Sequence, residues 1–508
     1  MDRELSFTLA VAAEPEQHRD RRTVDVSVAV GAGESRTDAP AGAGPASRSD
    51  AGFAEVVLVD RSGSMSSPIT KDHLAKKAAA AAIDLLADDV LFAVVGGTDK
   101  ARMIYPARST LTVANARTRA AAGDAIRKLG TGNGTTAIGP WLDQARELLE
   151  PHYDRVRHVT LLTDGKNEYQ HLASRTLEQV LTDCHGVFTC DTRGIGADWD
   201  PEELRRIADR LQGTNDSIPD LGDLERELTD VVRGASRRKV AQAALRVRCT
   251  PHVSVTLLEQ SSPSIADLAA HRVPVPGTNA VDFPTGPWSS EDRTYMLNLT
   301  VDREPAAEGV ADLLASIEVV TGAIGTARAE PVAEVSTVQV RWVDISSPIT
   351  DINHLPIRHR AEKQLRELRQ RGAIRYRDGD PQGAQQAWGE AVRLATRLRN
   401  EDALARLRRV VRILDGPSGK VSVLPDLPVE HVVNLMVGDT TSTWASPGLI
   451  EASSRIAPGV ADNRAEPPDE VETGPGPTCP KCHRIAAPGS QFCENSECDH
   501  VFTGTEAP

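Results

Sequence analysis

Three short segments of the 508-residue chain concentrate oxygen-bearing side chains. Asp60, Ser62 and Ser64 lie in VVLVDRSGSM, Thr135 and Thr136 in GTGNGTTAIGPW, and Asp164 in VTLLTDG. Together they offer two carboxylates and at least three hydroxyls, with no imidazole and no thiol. Such a set suits a small hard cation, because Mg²⁺ favours octahedral oxygen coordination and keeps water on some positions. Mn²⁺ and Ca²⁺ are alternative occupants. Neutral hydroxyl ligands leave part of the cation's charge uncompensated, so a vacant position can accept a carboxylate from another molecule. Taken singly, each segment has an ordinary explanation, since Asp and Ser build turns and helix caps.

A second cluster closes the chain. Cys479, Cys482, Cys493 and Cys498 are spaced C-x2-C-x10-C-x4-C. Two short cysteine turns a hairpin's length apart can give four thiolates tetrahedral geometry, which predicts a structural Zn²⁺. The segment resembles a zinc ribbon, although its second spacing is longer than the usual x2. His483 and His500 are adjacent but not required as ligands. Only Lys481 and Arg484 supply basic charge here, against the acids Glu494, Glu497 and Asp499, a poor balance for phosphate. A protein-facing module is expected.

The elements that must position the oxygen cluster are legible in the apolar periodicity. From Phe53 to about Ser236, short continuous apolar strands alternate with amphipathic helices. That rhythm predicts a mostly parallel sheet covered on both faces, with ligands at the carboxyl edge of its strands. The three oxygen-bearing segments all fall at or beside that edge. Beyond residue 240 the period changes to two, as in Tyr295, Leu297, Leu299 and Val301. This predicts an antiparallel β-sandwich. Val24, Val26, Val28 and Val30 show the same alternation without a sheet of their own, so the N-terminal strands are expected to complete the sandwich around the α/β domain.

The expected organisation is therefore N-terminal strands over 1–30, a linker over 31–51, the α/β domain over 52–236 and the sandwich over 237–350. A helical hairpin over 351–415 resembles one tetratricopeptide unit, with Gly372, Ala384, Trp388 and Ala391 as its small and aromatic positions. A linker over 416–477 and the cysteine module over 478–503 complete the chain. The fold class is α/β, a Rossmann-like domain inserted in or followed by a β-sandwich, then helices and a small zinc ribbon.

DRSGS, the GTT loop and LLTDG occur in the order and context of the von Willebrand factor A family, which the α/β domain resembles. That family's metal-ion-dependent adhesion site reads Asp-x-Ser-x-Ser, then Thr, then Asp. The resemblance implies that Ser62, Ser64 and one threonine bind the metal directly, while Asp60 and Asp164 act mainly through water. Thr136 is preferred because the following helix then starts in step with Leu142, and Thr135 is the alternative.

Composition narrows the function. A formal net charge of −14 opposes general attraction to nucleic acid or anionic membrane. Residues 351–420 are locally basic, with 16 Lys and Arg against 9 Asp and Glu. This makes the helical pair over 353–413 the better nucleic-acid candidate, but it reads first as a solvated face or a docking surface for an acidic neighbour. The N-terminus lacks a secretory pattern and no long apolar run occurs, so a cytoplasmic protein is expected. Seven cysteines, four of them clustered, do not form a disulfide scaffold.

A catalytic reading is disfavoured. Haloacid dehalogenase-type phosphatases place a general-acid Asp two residues after the first Asp, and here that position is Ser62, which cannot protonate a leaving group as a carboxylic acid does. GTGNGTT lacks the Lys-Ser/Thr pair of a phosphate loop, and RSGSM lacks the first glycine of a hydrolase elbow. His73 and His158 read as structural or solvated. The expectation is a non-enzymatic scaffold that uses Mg²⁺ to capture an Asp or Glu of a protein partner, in bacterial stress response or signalling by analogy with intracellular members of the family. Adaptor to an AAA+ ATPase and metal-dependent phosphohydrolase are the alternatives.

Overall fold

A computed structural model describes residues 5–34, 52–66, 69–130, 134–167, 170–196, 199–218, 220–344 and 354–437, together with Cys479 and Lys481. Its centre is a seven-stranded sheet. The parallel strands Asn215–Ile218, Thr189–Ile195, Val156–Thr163, Phe53–Asp60 and Leu91–Gly97 lie side by side in that order. Ala101–Tyr105 and Thr112–Val113 both pair antiparallel with Leu91–Gly97.

Every residue of Phe53–Asp60 is buried, which explains its nearly unbroken apolar run. Ala54, Val56 and Leu58 pack against one layer, which includes the helices Ile138–Leu149, Leu177–Cys184 and Pro201–Arg210. Val57 and Val59 face the opposite layer, formed by Ile69–Asp84, Ala116–Arg127 and Leu224–Ser236. The helices hold the sheet from both sides and leave its carboxyl edge to the loops.

Two further sheets pack face to face. Leu5–Ala13 pairs with Thr23–Glu34, which pairs in turn with Glu291–Val301. In the facing sheet, Val240–Cys249 lies between Ala280–Trp288 and Ala311–Thr321, and Ser336–Val343 follows. Val24, Val26, Val28 and Val30 enter a shared core with Leu245, Val247, Ile317, Val319, Val338 and Trp342. The segment Glu16–His18 pairs with Ser336–Val343, so the N-terminal region contributes to both sheets. The α/β domain thus interrupts the chain between two parts of one double-layered β-structure.

The helices His354–Arg377, Pro381–Leu398 and Glu401–Leu407 follow. Trp388 is fully buried between them, its indole donating to the Arg369 carbonyl at 3.3 Å and facing Tyr376 at 5.8 Å. The expected linker over 416–477 needs correction at its start. Lys420–Val423 pairs with Val411–Asp415 as a hairpin, and Val429–Met436 is a helix that buries Val432, Val433, Leu435 and Met436. The Pro- and Gly-rich composition of that stretch masks two short elements whose apolar residues finish the helical core. The 1–30 boundary also moves, since Thr23–Glu34 runs four residues further. Of the expected zinc ligands, Cys479 is fully buried, whereas Cys482, Cys493 and Cys498 lie outside the described residues.

No helix among the described residues is long and apolar enough to cross a membrane.

Candidate metal centre at the carboxyl edge of the sheet

Asp60 ends its strand and Thr163 ends the neighbouring one, so parallel pairing brings Asp60 and Asp164 to the same edge. The Asp60 carboxylate is held at both oxygens. Oδ1 accepts from the Ser62 backbone N–H at 2.7 Å, and Oδ2 accepts from Thr163 Oγ1 at 2.5 Å. Ser62 Oγ and Ser64 Oγ lie 2.8 Å apart, and Ser64 Oγ donates to Asp164 Oδ1 at 2.8 Å. The alternate spacing in DRSGS puts both hydroxyls on one side of the turn.

The threonine loop is fastened to this turn from two directions. Gly63 N–H donates to the Gly134 carbonyl at 3.2 Å. The Arg61 guanidinium donates to the Gly130 carbonyl at 3.1 and 2.7 Å. Behind it, Trp141 donates its indole N–H to the Thr98 carbonyl at 2.7 Å and packs directly over Gly97, where a Cβ would overlap the ring at 2.1 Å. The Ile138–Leu149 helix has no capping side chain of its own. Asn167 and Gln170, from the loop after Asp164, accept its first amides at 2.7 Å each, from Ile138 and Gly139. These contacts place Thr136, which is buried, while Thr135 is half-buried.

The decisive geometry is at Gly165. A Cβ added there would lie 2.8 Å from Thr136 Oγ1 and 3.5 Å from both Asp60 Oδ2 and Ser64 Oγ. Side-chain oxygens from the DRSGS turn and the threonine loop therefore border one cradle, kept open because the residue after Asp164, in the third segment, has no side chain. Its mixed carboxylate and hydroxyl donors fit a hard divalent cation. Among the described residues, no group of three or more His, Cys, Asp or Glu side chains offers a different kind of metal site.

Charge at the edge favours a cation as well. Burial pushes the Asp60 carboxyl up to about 6, against the hydrogen bonds from Thr163 and Ser62, and nearby Asp164 adds to the rise. A desolvated carboxylate beside a second one is stabilised by neighbouring positive charge. One such charge is already present. Lys71, near the start of the Ile69–Asp84 helix, places Nζ 2.8 Å from Asp164 Oδ2, with both side chains buried. Sequence reasoning misses Lys71, Thr163 and Arg61. Thr163 directly precedes Asp164 and is the one with a readable cue, since a strand-terminal threonine points to the same edge.

His158 is structural in a specific sense. Its ring bridges two buried acids, with Nδ1 at 2.6 Å from Glu55 Oε2 and Nε2 at 3.0 Å from Asp191 Oδ2. All three occupy the first few residues of their strands, away from the metal edge.

The comparisons agree with this geometry. A model of the von Willebrand factor type A domain matches residues 55–216. The structure superimposes with a TM-score of 0.76 on a von Willebrand factor type A protein from Catenulispora acidiphila, at 31% identity over 87% of this chain and 98% of that one. This chain belongs to the von Willebrand factor type A family. It is also 26% identical over 253 residues to an uncharacterized protein of Synechocystis sp., covering 49% of this chain and 57% of the relative. The chain thus spans little more than half the length of that curated relative. The Catenulispora similarity extends beyond the von Willebrand factor A domain into the flanking β-structure and helices, since the family model accounts for residues 55–216 alone.

Proposed function

We propose that the chain is a non-enzymatic, metal-dependent protein-binding scaffold. The carboxyl edge of its von Willebrand factor A sheet would hold Mg²⁺, or Mn²⁺ or Ca²⁺, through Ser62, Ser64 and Thr136, with Asp60 and Asp164 organising the surroundings. When bound, the cation supplies a Lewis-acidic position that accepts an Asp or Glu carboxylate from a protein partner. The observation that carries this reading is the cradle at Gly165, where oxygens of Asp60, Ser64 and Thr136 converge. Von Willebrand factor A domains are commonly metal-dependent interaction modules, which supports the same conclusion.

The chain's own residues do the positioning. Thr163 and the Ser62 amide fix the Asp60 carboxylate, Arg61 ties the threonine loop to the DRSGS turn, and Asn167 with Gln170 fix the helix that follows Thr136. A hydrolytic role has less support, because Ser62 occupies the position where a phosphatase would carry its acid and donates no proton at neutral pH. A cytoplasmic location, a place in stress response or signalling, and an acidic protein partner belong to the proposal. Zn²⁺ on Cys479, Cys482, Cys493 and Cys498 does too, and metal analysis of the full chain beside Cys479→Ser tests it.

Affinity capture from a cell extract tests the main reading, run with Mg²⁺, with EDTA and with Asp60→Ala. The proposal expects partners retained only by the wild-type chain in Mg²⁺. Identical partners under all three conditions contradict it. Phosphoester turnover that Asp60→Ala abolishes would replace it with the hydrolase reading.

A further inference from the structure

The Lys71–Asp164 pair has no place in the donor set described above. The lysine lies in the first turn of Ile69–Asp84, yet the residue is only 5% exposed. Its stem passes the turn at Gly196, where a Cβ would lie 3.7 Å from both Cε and Nζ. The ammonium reaches Asp164 Oδ2 at 2.8 Å, while Ser64 donates to the other oxygen of the same carboxylate. Burying an ammonium is costly unless it is paired. A solvated lysine at this helix position would avoid that cost, so the fold invests in a fixed positive charge beside the cradle.

Asp60, Asp164 and Lys71 sum to −1. A divalent cation in the cradle brings the site to +1, and one partner carboxylate then brings it to zero. Without the lysine, the same cation would neutralise the two aspartates, and a partner carboxylate would leave the site at −1. In a buried site such imbalances are weakly screened.

We infer that Lys71 is a built-in counter-charge that weakens cation binding at this edge and strengthens capture of an acidic ligand by the cation-loaded site. This rests on the reading of the edge as a cation site. It assigns Lys71 a positioning and electrostatic role, since the residue acts through Asp164. The two effects have opposite signs, which a merely structural lysine would not produce.

The test uses the full chain as wild type, Lys71→Met, Lys71→Gln and Lys71→Arg. Asp60→Ala defines background binding. Mn²⁺ affinity is read from the electron paramagnetic resonance signal of free Mn²⁺. Acetate binding to the Mn²⁺-loaded protein is read from water-proton relaxation. Near-ultraviolet circular dichroism checks the fold, and Lys71→Gln, which can still donate to Asp164, serves if Lys71→Met does not fold. Removing the charge should tighten Mn²⁺ binding roughly tenfold or more and weaken acetate binding several-fold, while Lys71→Arg stays within about twofold of wild type. Folded neutral variants that bind Mn²⁺ no more tightly than wild type, or acetate no more weakly, overturn the inference and leave the cation site intact. Mn²⁺ binding by the neutral variants alone contradicts the cation reading of the native edge and overturns the inference with it, because no cation-loaded wild type then exists to capture a ligand. If no variant binds Mn²⁺ above the Asp60→Ala background, the cation site and this inference fall together.

Discussion

Thr163 Oγ1 donates to Asp60 Oδ2 at 2.5 Å, so the last residue of one strand orients the last residue of its neighbour. The contact joins the two strands that carry the acids of the candidate site, and neither side chain can turn without breaking it. Thr163→Val keeps the branched shape and removes the donor. It leaves a buried carboxylate oxygen without this partner, a loss that costs about 1–3 kcal/mol. Urea unfolding in EDTA should show that decrease, with Mn²⁺ affinity reduced as well.

Gly165→Ala tests the cradle itself. The added methyl would approach Thr136 Oγ1 at 2.8 Å and fill the space bordered by Asp60 and Ser64. Mn²⁺ affinity should fall by roughly tenfold or more, because displaced donors lose the coordination geometry. Thermal unfolding in EDTA should change far less than Mn²⁺ affinity. Equal Mn²⁺ binding by the variant would place the cation elsewhere.

Two histidines contribute in opposite senses to the pH–stability profile. Burial alone would depress His158, but the charge of Glu55 and the hydrogen bonds of Asp191 and Glu55 outweigh it and raise the imidazole to about 9. The unfolded value is about 6.5. The stabilisation is therefore complete below about 6.5 and is lost as the pH rises through about 9. His271 behaves in the reverse sense. Burial, with the neighbouring charges of His185 and Arg210, lowers it to about 4. Stability is thus lost as the pH falls from about 6.5 through about 4. Thermal melts across this range should peak between the two limbs, and His158→Gln should remove the alkaline contribution.

Among the described residues, the acid Glu259 ties the long helix His354–Arg377 to the β-structure. Glu259 accepts from His359 at 2.8 Å and Lys363 at 2.7 Å, and these partners outweigh burial and hold its carboxyl down at about 2. Glu259→Gln leaves His359 buried beside a neutral amide, which should cost about 1–3 kcal/mol. Hydrogen exchange is expected to rise first in the helix near His359. Protection unchanged there would show that apolar contacts alone hold the helix.

Much of the site is legible in sequence because strand ends and chemistry coincide. VVLV must be buried, Asp60 must follow it at the edge, and LLTDG repeats the logic one strand away. Such local patterns survive folding unchanged. Lys71 is not legible, because a lysine in a helical first turn reads as solvated until the helix is seen to start beside Asp164. Arg61 hides for a similar reason, since its partner Gly130 is 69 residues away. The alternating valines at 24, 26, 28 and 30 reveal a strand with one apolar face, and pairing supplies the rest. The helix Val429–Met436 is obscured by its setting among prolines and glycines. Its placement depends on long-range contacts, including Asn434 donating to Ser217 Oγ at 2.7 Å on the edge strand of the α/β sheet.

The most direct test of the account is a Mn²⁺ titration of the full chain, followed by electron paramagnetic resonance, for wild type and Asp60→Ala. A Mn²⁺ site is expected in the wild-type chain, displaced by excess Mg²⁺ and missing from Asp60→Ala. Equal Mn²⁺ binding by the two proteins would contradict it.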